Sequence, residues 1–408
     1  MCSMRILTLT TLFPNAHQPA HGIFVENRLA HLVASGKVAA RVVAPVAWVP
    51  DLPFLPERYR RLGGVPAREE RHGIVIDHPR YLLPPKVGML WAPLSLYRAA
   101  RRAAAALARE GFEFDLIDAH YFYPDGVAAA LLARHLGKPL IITARGSDVT
   151  QLPDYRLPRA MIRWAAGVAA GIVTVSQSLK DGLVALGVPA EKIRVLRNGV
   201  DLQAFRPVDR AAARAALGIE GTLLLSVGHL IPRKGHDLAI AALAQLPDAT
   251  LVIVGEGPEE GRLKAAAVRL GVAPRVRFLG ARPHGALAEL YSAADLLMLL
   301  STREGWANVL LEAMACGTPA VATPAGGTPE VLASRVAGEL VGERDPAAVA
   351  AAVTRQLARR PSPEAVRAHA EGFSWDATTE GQLALMAEVL GGQPSSLTVN
   401  PMGRRRAL

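Results

Sequence analysis

The sequence predicts an α/β protein made of two parallel-sheet domains, and three observations carry that prediction. Its 408 residues exceed what one hydrophobic core usually serves. Half of them are hydrophobic and only 20% are charged, so large cores can be buried and a disordered chain is excluded. Short β-rich runs alternate with Ala/Leu-rich helical stretches along the whole chain. That alternation describes βαβ units around sheets covered on both faces.

In the first half, the apolar, β-branched runs 5–9, 40–44, 116–118, 140–143 and 171–175 have strand length, and 191–196 adds one more. Ser176 follows the fifth as a helix cap before SLKDGLVALG. Residues 47–93 break the rhythm with Pro and Arg and are expected to form a long excursion rather than a regular layer. A second series follows RNGVDLQAFRPVDR: 222–227, 250–254, 276–279, 296–300 and 320–322, each leading into a helical run. The junction near 198–210 gives a first domain over 1–200 and a second over 201–374. One more helix, 375–390, follows the turn-like GFSW, and the polar, Pro-containing stretch 392–408 is expected to be a disordered tail.

Charge divides the chain at the same place. Residues 1–200 carry 25 basic and 15 acidic side chains, whereas residues 201–408 carry 21 of each, so the whole net charge of +10 lies in the first half. A basic half suits nucleic acid, an anionic membrane surface or an acidic substrate. Aromatic residues are only 5% of the chain and its arginines form no helix-spaced stripe, which argues against nucleic acid. Cys2 and Cys316 are too few for a disulfide framework or a thiolate zinc site and suit a reducing compartment. No signal-peptide core is evident, and the apolar run 164–175 is shorter than the roughly 20 residues a membrane span needs. A cytoplasmic protein is expected, at most peripheral on the cytoplasmic membrane face. Within 84–110, Trp91, Leu94, Leu96 and Tyr97 precede Arg98, Arg101 and Arg102. That pattern suits a basic interfacial helix or an ordinary surface helix packed on the sheet.

In parallel sheets ligands collect where strands run into helix N-termini, so those loops are the candidate sites. The segment STREGWANVLLEAMACGTPAVATPAGGTPEVL places Glu304 in the loop after 296–300 and Glu312 inside the helix that follows. Two carboxylates flanking a helix start can grip hydroxyl groups of a sugar nucleotide, with the N–H groups from Trp306 to Leu310 between them. Glu380 and Glu388 have the same spacing but lie mid-helix, as a solvated face. In SVGHLIPRKGHDLAI, Arg233 and Lys234 stand just before Gly235 and a helix, a pairing suited to a pyrophosphate. PAGGTPE, 324–330, could add backbone N–H groups to the same phosphates. VGEGPEEG looks like a dinucleotide fingerprint, but its last glycine is misplaced and three glutamates would repel a pyrophosphate.

On the first half, His120 follows one strand, Arg145, Ser147 and Asp148 follow another, and Gly22 sits in the loop before the first helix. His17, His21, His72 and His78 receive no role. No Asp-x-Asp pair, HExxH, Cys/His cluster, G-x-S-x-G elbow or P-loop occurs, so neither metal catalysis nor acyl transfer is supported.

Taken together, VSQSLKDGL, VLRNGVD, SVGHLIPRKGHDLAI, VIVGEGPEEGRL, VRFLG and EGWANVLLEAMACGTPAVATPAGGTPEV resemble the retaining glycosyltransferases of family four over nearly the whole chain. YPDGVAAALLARHLGKPLIITARGSDV and HGIFVENR look most like cell-surface polysaccharide enzymes of the teichuronic-acid type. The resemblance implies a GT-B architecture, two Rossmann-like domains facing across a cleft, with the helix at 375–391 crossing back to the first. It implies that Arg233 and Lys234 clamp the diphosphate, Glu312 holds the ribose hydroxyls and Glu304 faces the donor sugar. Trp306, Ala307, Asn308, Val309 and Leu310 would line the sugar and phosphate pocket, His120 would lie near the reacting carbon, and Gly22 near the phosphates. The family's frequent Gly-Gly pair is His21-Gly22 here. Arg282 would meet the nucleobase, and Arg145, Ser147 and Asp148 the acceptor. The implied function is metal-independent, cofactor-free transfer from an α-linked UDP- or GDP-sugar to a glycan or lipid-linked acceptor in polysaccharide synthesis. A sugar-nucleotide epimerase, a phosphorylase and a basic nucleic-acid-binding module are the alternatives.

Overall fold

The computed structural model describes residues 3–48, 64–83 and 88–391. The first half forms an eight-stranded sheet in the order Ile193–Val195, Gly171–Thr174, Leu140–Ala144, Leu116–His120, Met4–Leu9, Val38–Val43, Ile74–Asp77, Arg68–Arg71. Neighbours are parallel except the last pair, a hairpin turned at His72 and Gly73, both with positive φ. The second half forms a wholly parallel six-stranded sheet: Val276–Phe278, Ala249–Val254, Thr222–Val227, Leu296–Leu299, Ala320–Ala322, Gly338–Leu340. Leu140–Ala144 and Leu296–Leu299 are buried at every position, as strands covered by helices on both faces must be.

The excursion is more regular than its composition suggests. Ile74–Asp77 and Arg68–Arg71 extend the main sheet, and Val46–Trp48 pairs with Arg80–Leu82 in a small separate sheet. The strand REER has no apolar period to reveal it. Ion pairs hold it instead: Arg68 to Asp77 at 2.7 Å and to Glu110 at 2.6 Å, and Arg71 to Glu26 at 2.5 Å. A charged edge also discourages pairing with another chain. Gly338–Leu340 was likewise absent from the strand expectations, being three residues long and opened by a glycine. The expected tail, 392–408, lies outside the described residues.

Helix starts follow their sequence signals. Ser176 Oγ accepts the Leu179 N–H at 3.3 Å, and Asp345 accepts from Ala347 at 2.8 Å. The chain passes twice between the two sheets at one point, where Val200 N–H donates to Phe373 O at 3.0 Å. A Cβ on Gly199 would stand 2.4 Å from the Trp375 nitrogen, so only glycine fits there. Trp375–Gly391 then lies on the first half: Leu385 and Met386 share a core with Ile6, Val25 and Leu29, and Trp375 stacks on His31 at 5.3 Å.

Helix Gly88–Arg109 buries Leu96, Ala99, Ala100, Ala104 and Leu107 as an ordinary surface helix would. Its first turn differs. Met89, Leu90 and Trp91 are exposed, as are Trp48 and Leu82 on the small sheet beside it. Among the described residues no helix is long and apolar enough to cross a membrane.

Candidate functional site

Loops after strands of both sheets meet at one cleft, which encloses a cavity of about 430 Å³. The second half supplies its charged wall. Pro232–Lys234 makes a single tight turn ended by Gly235 at φ +71°, where a Cβ would lie 2.1 Å from Leu300 O. The turn presents both cations to the cavity. Lys234 Nζ donates to Glu304 Oε1 at 2.7 Å, while Arg233 stands 3.9 Å from the same oxygen and donates to Arg303 O at 2.8 Å. With Arg303, which also lines the cavity, three cations face one resident carboxylate on this wall, leaving two positive charges in excess for an incoming anion. Trp306, Ala307, Asn308 and Val309 complete this wall at the start of helix Asn308–Ala315. Leu310 does not join them, because it is fully buried in the core below. The N–H groups there are partly engaged: Asn308 donates to Trp306 O and Leu310 to Ala307 O.

Glu312 lines a second, smaller cavity with Asp201, Phe205, His284 and Trp375. Both of its oxygens have partners. His284 Nε2 is 3.0 Å from Oε1, and the buried Tyr291 hydroxyl donates to Oε2 at 2.8 Å. Burial opposes protonation of His284, yet its hydrogen bond and charge interaction with Glu312 leave its pKa raised. Arg282, expected at the nucleobase, is exposed and lines neither cavity; His284, two residues on, does.

The first half supplies Arg145, Ser147, Tyr121, Phe24 and Gln151. Tyr121 Oη and Ser147 Oγ are 2.5 Å apart, and Tyr121 holds φ +80°, an unusual value for a bulky residue. Asp148 does not reach the cavity. Its carboxylate accepts the N–H groups of Phe122, Arg145 and Gly146 at 2.7–3.1 Å and so fixes the turn that aims Arg145. His120 is the last residue of its strand rather than part of the loop, and lies 1% exposed behind the wall. Its Nδ1 is 2.7 Å from Arg145 Nη2 and its Nε2 3.1 Å from Asp118 Oδ2. Burial pushes its pKa down to about 4, so the ring is neutral and its Nδ1 accepts a hydrogen bond from Arg145's fork. Gly22 also lies behind the wall: at φ +72° it presses on Leu12, whose carbonyl would be 2.3 Å from a Cβ. Leu12 and Phe24 line the cavity in its place.

PAGGTPE does not line the cavity either. Gly326 packs on Glu304 O, and Gly327 on Trp306 and Ser176, each too close for a side chain. Glu330 reaches the first half, accepting from Gln177 N–H at 2.8 Å and from Arg197 at 2.6 Å. The loop buttresses the cleft. Glu380 is exposed and Glu388 pairs with Arg194 at the surface, so the matching spacing there is a solvated face. Among the described residues no cluster of three or more His, Cys, Asp or Glu is placed to hold a metal ion. Tyr121 and His284 carry no signal in the sequence beyond lying near strand ends, while Phe24 and Asn198 lie in the segments HGIFVENR and VLRNGVD without a feature that singles them out.

Comparison with known proteins shows the family. Residues 40–204 match the model described as Glycosyltransferase Family 4, and residues 209–373 that of Glycosyl transferases group 1. The D-inositol 3-phosphate glycosyltransferase of Acidothermus cellulolyticus is 35% identical over 372 residues, 84% of this chain and 81% of the relative. That of Segniliparus rotundus is 35% identical over 314 residues, 70% and 69% of the two chains. Among solved structures, sucrose-phosphate synthase from Thermosynechococcus elongatus superposes with a TM-score of 0.80 at 21% identity, covering 96% of this chain and all of that one. Anabaena HepE in complex with UDP-glucose does so with a TM-score of 0.70 at 23% identity, covering 94% of this chain and all of that one. These relatives do not single out the teichuronic-acid type of enzyme. In sequence and in its GT-B fold, this chain belongs to the family 4, group 1 glycosyltransferases and is a hexosyltransferase.

Proposed function

We propose that the enzyme transfers a hexose, with retention of configuration and without a metal, from an α-linked nucleoside-diphosphate sugar to an anionic acceptor. The observation that carries this reading is the Arg233–Lys234 turn facing the cavity with Glu304 as its only close counter-ion among the described residues. Lys234 and Arg233 hold the diphosphate, Glu304 meets the hydroxyls of the donor sugar, and Glu312 the ribose. As the bond between the anomeric carbon and the phosphate oxygen breaks, negative charge grows on that oxygen. The two cations stabilise it more in the transition state than in the ground state. The acceptor hydroxyl attacks from the same face, its oxygen bonds to the anomeric carbon, and its proton passes to the departing phosphate. Closure of the cleft excludes water from this step.

Arg145, Ser147 and Tyr121 form the acceptor wall, and the guanidinium suits a phosphate. The relatives named for D-inositol 3-phosphate make a polyol phosphate the first acceptor to try. A lipid-linked glycan acceptor in polysaccharide synthesis is the second reading. It is favoured by exposed Trp48, Leu82, Met89, Leu90 and Trp91, with Arg98, Arg101 and Arg102 exposed farther along the same helix. Such a surface fits an anionic membrane on the cytoplasmic face.

A thermal-shift panel of UDP, GDP and ADP identifies the nucleotide, because a tight binder raises Tm. Product analysis with the matching sugar nucleotide, D-inositol 3-phosphate or a lipid-linked sugar phosphate, with and without EDTA, tests the rest. Loss of turnover in EDTA, or an inverted product, overturns the mechanism. Cosedimentation with liposomes that ignores their anionic lipid content overturns the membrane reading.

A further inference from the structure

Behind the point where the two walls touch lies Asn198, 3% exposed, on the first stretch of chain leaving the eight-stranded sheet. Its carboxamide oxygen accepts from Arg145 Nη1 at 3.3 Å and Arg28 Nη1 at 3.5 Å. Its Nδ2 donates to Asn308 Oδ1 at 3.2 Å. Arg145 lines the cleft from the acceptor side, while Asn308 lines it from the donor side and borders the small cavity at Glu312. One carboxamide thus touches a lining side chain of each wall.

The geometry around it leaves few other ways to hold the same arrangement. Arg145's fork is hydrogen-bonded to His120 at Nη2 and Asn198 at Nη1, with the Phe24 ring centroid 5.3 Å from its central carbon, and together these set the plane of the guanidinium. Arg28 lies beside it, also buried, and its Nε and Nη2 have no hydrogen-bond partner. Arg28 Nη1 is also held by Leu196 O at 3.1 Å, so loss of the shared carboxamide leaves Arg28 anchored while Arg145 loses one of its two side-chain hydrogen bonds. Next to them the backbones meet: a Cβ on Gly305 would stand 1.9 Å from Arg145 O and 3.0 Å from Gly146 Cα. The walls therefore close to backbone contact at the residues that Asn198 joins.

We propose that Asn198 is a positioning residue for glycosyl transfer, locking the acceptor-side guanidinium of Arg145 to the donor-side helix at Asn308 when the cleft closes. It touches no reacting atom. Its effect is to make the two walls order together, so that donor and acceptor groups come into register in one step. This requires only that the chain transfers a sugar across this cleft, whichever nucleotide it uses.

Hydrogen exchange on the ligand-free enzyme and turnover of UDP-glucose test it in parallel. In Asn198→Leu, amides in 145–150 and in 306–310 should both exchange about tenfold faster or more relative to amides of the two sheets, because local opening adds to any loss of global stability. UDP-glucose turnover should fall about 30-fold or more, with UDP still raising Tm. Asn198→Asp should recover most of both losses: its carboxylate accepts from both guanidiniums, and the Asn308 carboxamide can turn to donate to it. Combining it with Asn308→Asp should abolish that recovery by setting two carboxylates face to face. Asn308→Leu, which breaks the bond from the other side, should reproduce the exchange pattern if Asn198→Leu fails to fold. Native exchange in either segment of the leucine variants, or an Asn198→Asp enzyme as impaired as Asn198→Leu, overturns the proposal. An enzyme that turns over none of UDP-, GDP- and ADP-glucose counts against the donor reading, and the exchange measurement still decides the role of Asn198.

Discussion

Lys234 illustrates how much of the chemistry rests on single groups. Its ammonium is mostly buried and 2.7 Å from Glu304, so it is held in place before any donor arrives. Lys234→Ala is expected to lower kcat/KM by about 10²–10³, the usual cost of removing one preorganised charge stabiliser, measured as nucleoside diphosphate release. Lys234→Arg should lose less. A different residue governs stability against pH. The buried Asp125 carboxyl, bonded to Thr11, is pushed up to about 7 by desolvation. Its native pKa exceeds its unfolded one, so the native state holds the extra proton. The stability this contributes is complete below about pH 4 and lost as pH rises through 7. Asp125→Asn should therefore show a smaller drop in Tm between pH 5 and pH 8 than the wild type. An equal drop would mean that the carboxyl is ionised throughout.

Among the elements, helix starts and glycine contacts decide the cleft. Asp345 caps Pro346–Arg359 through the Ala347 and Ala348 N–H groups. Asp345→Ala should cost about 1 kcal/mol and lower Tm by about 2–4 °C, with activity intact at 25 °C. Gly305 marks the opposite case. A methyl group there meets Arg145 O only when the cleft is shut, so Gly305→Ala should leave Tm unchanged. It should cut kcat about tenfold or more while binding of the nucleoside diphosphate picked out by thermal shift survives, since closure is what it obstructs. The strand Arg68–Arg71 shows why some elements escape a sequence reading. Its ladder partner and its counter-ions Asp77, Glu110 and Glu26 come from distant positions, and no local period records them.

Across the whole molecule, the +10 charge of the first half acquires a location. Arg98, Arg101 and Arg102 lie exposed on one helix whose first turn shows Met89, Leu90 and Trp91, next to Trp48 and Leu82. If this face docks on anionic lipid, binding should weaken steeply as salt shortens the screening length below about 10 Å, and Trp91→Glu should reduce it at any salt. Cosedimentation at two ionic strengths checks both expectations. One contact across the cleft is weak and exposed. The Arg197–Glu330 pair is half exposed on the arginine side and worth at most about 1 kcal/mol, so opening and closing remain accessible.

The sequence by itself determined the two parallel sheets, because buried strands and amphipathic helices are written in local apolar periods. It also marked the Arg233–Lys234 turn and the two carboxylates Glu304 and Glu312 as candidates, since they sit in loops and a helix start that follow predicted strands. Tertiary structure alone decided which of the remaining candidates reach the cleft. His120, Gly22, Asp148, Leu310 and Arg282 all stand near strand ends, yet each is turned into the core, spent on holding a loop or left on the surface. Asn198 is the converse, an unremarked residue of a linker that joins Arg28, Arg145 and Asn308 from 110 or more positions away in two cases and 53 in the third. Contacts at that sequence distance depend on how the two halves close on each other, which no local pattern encodes.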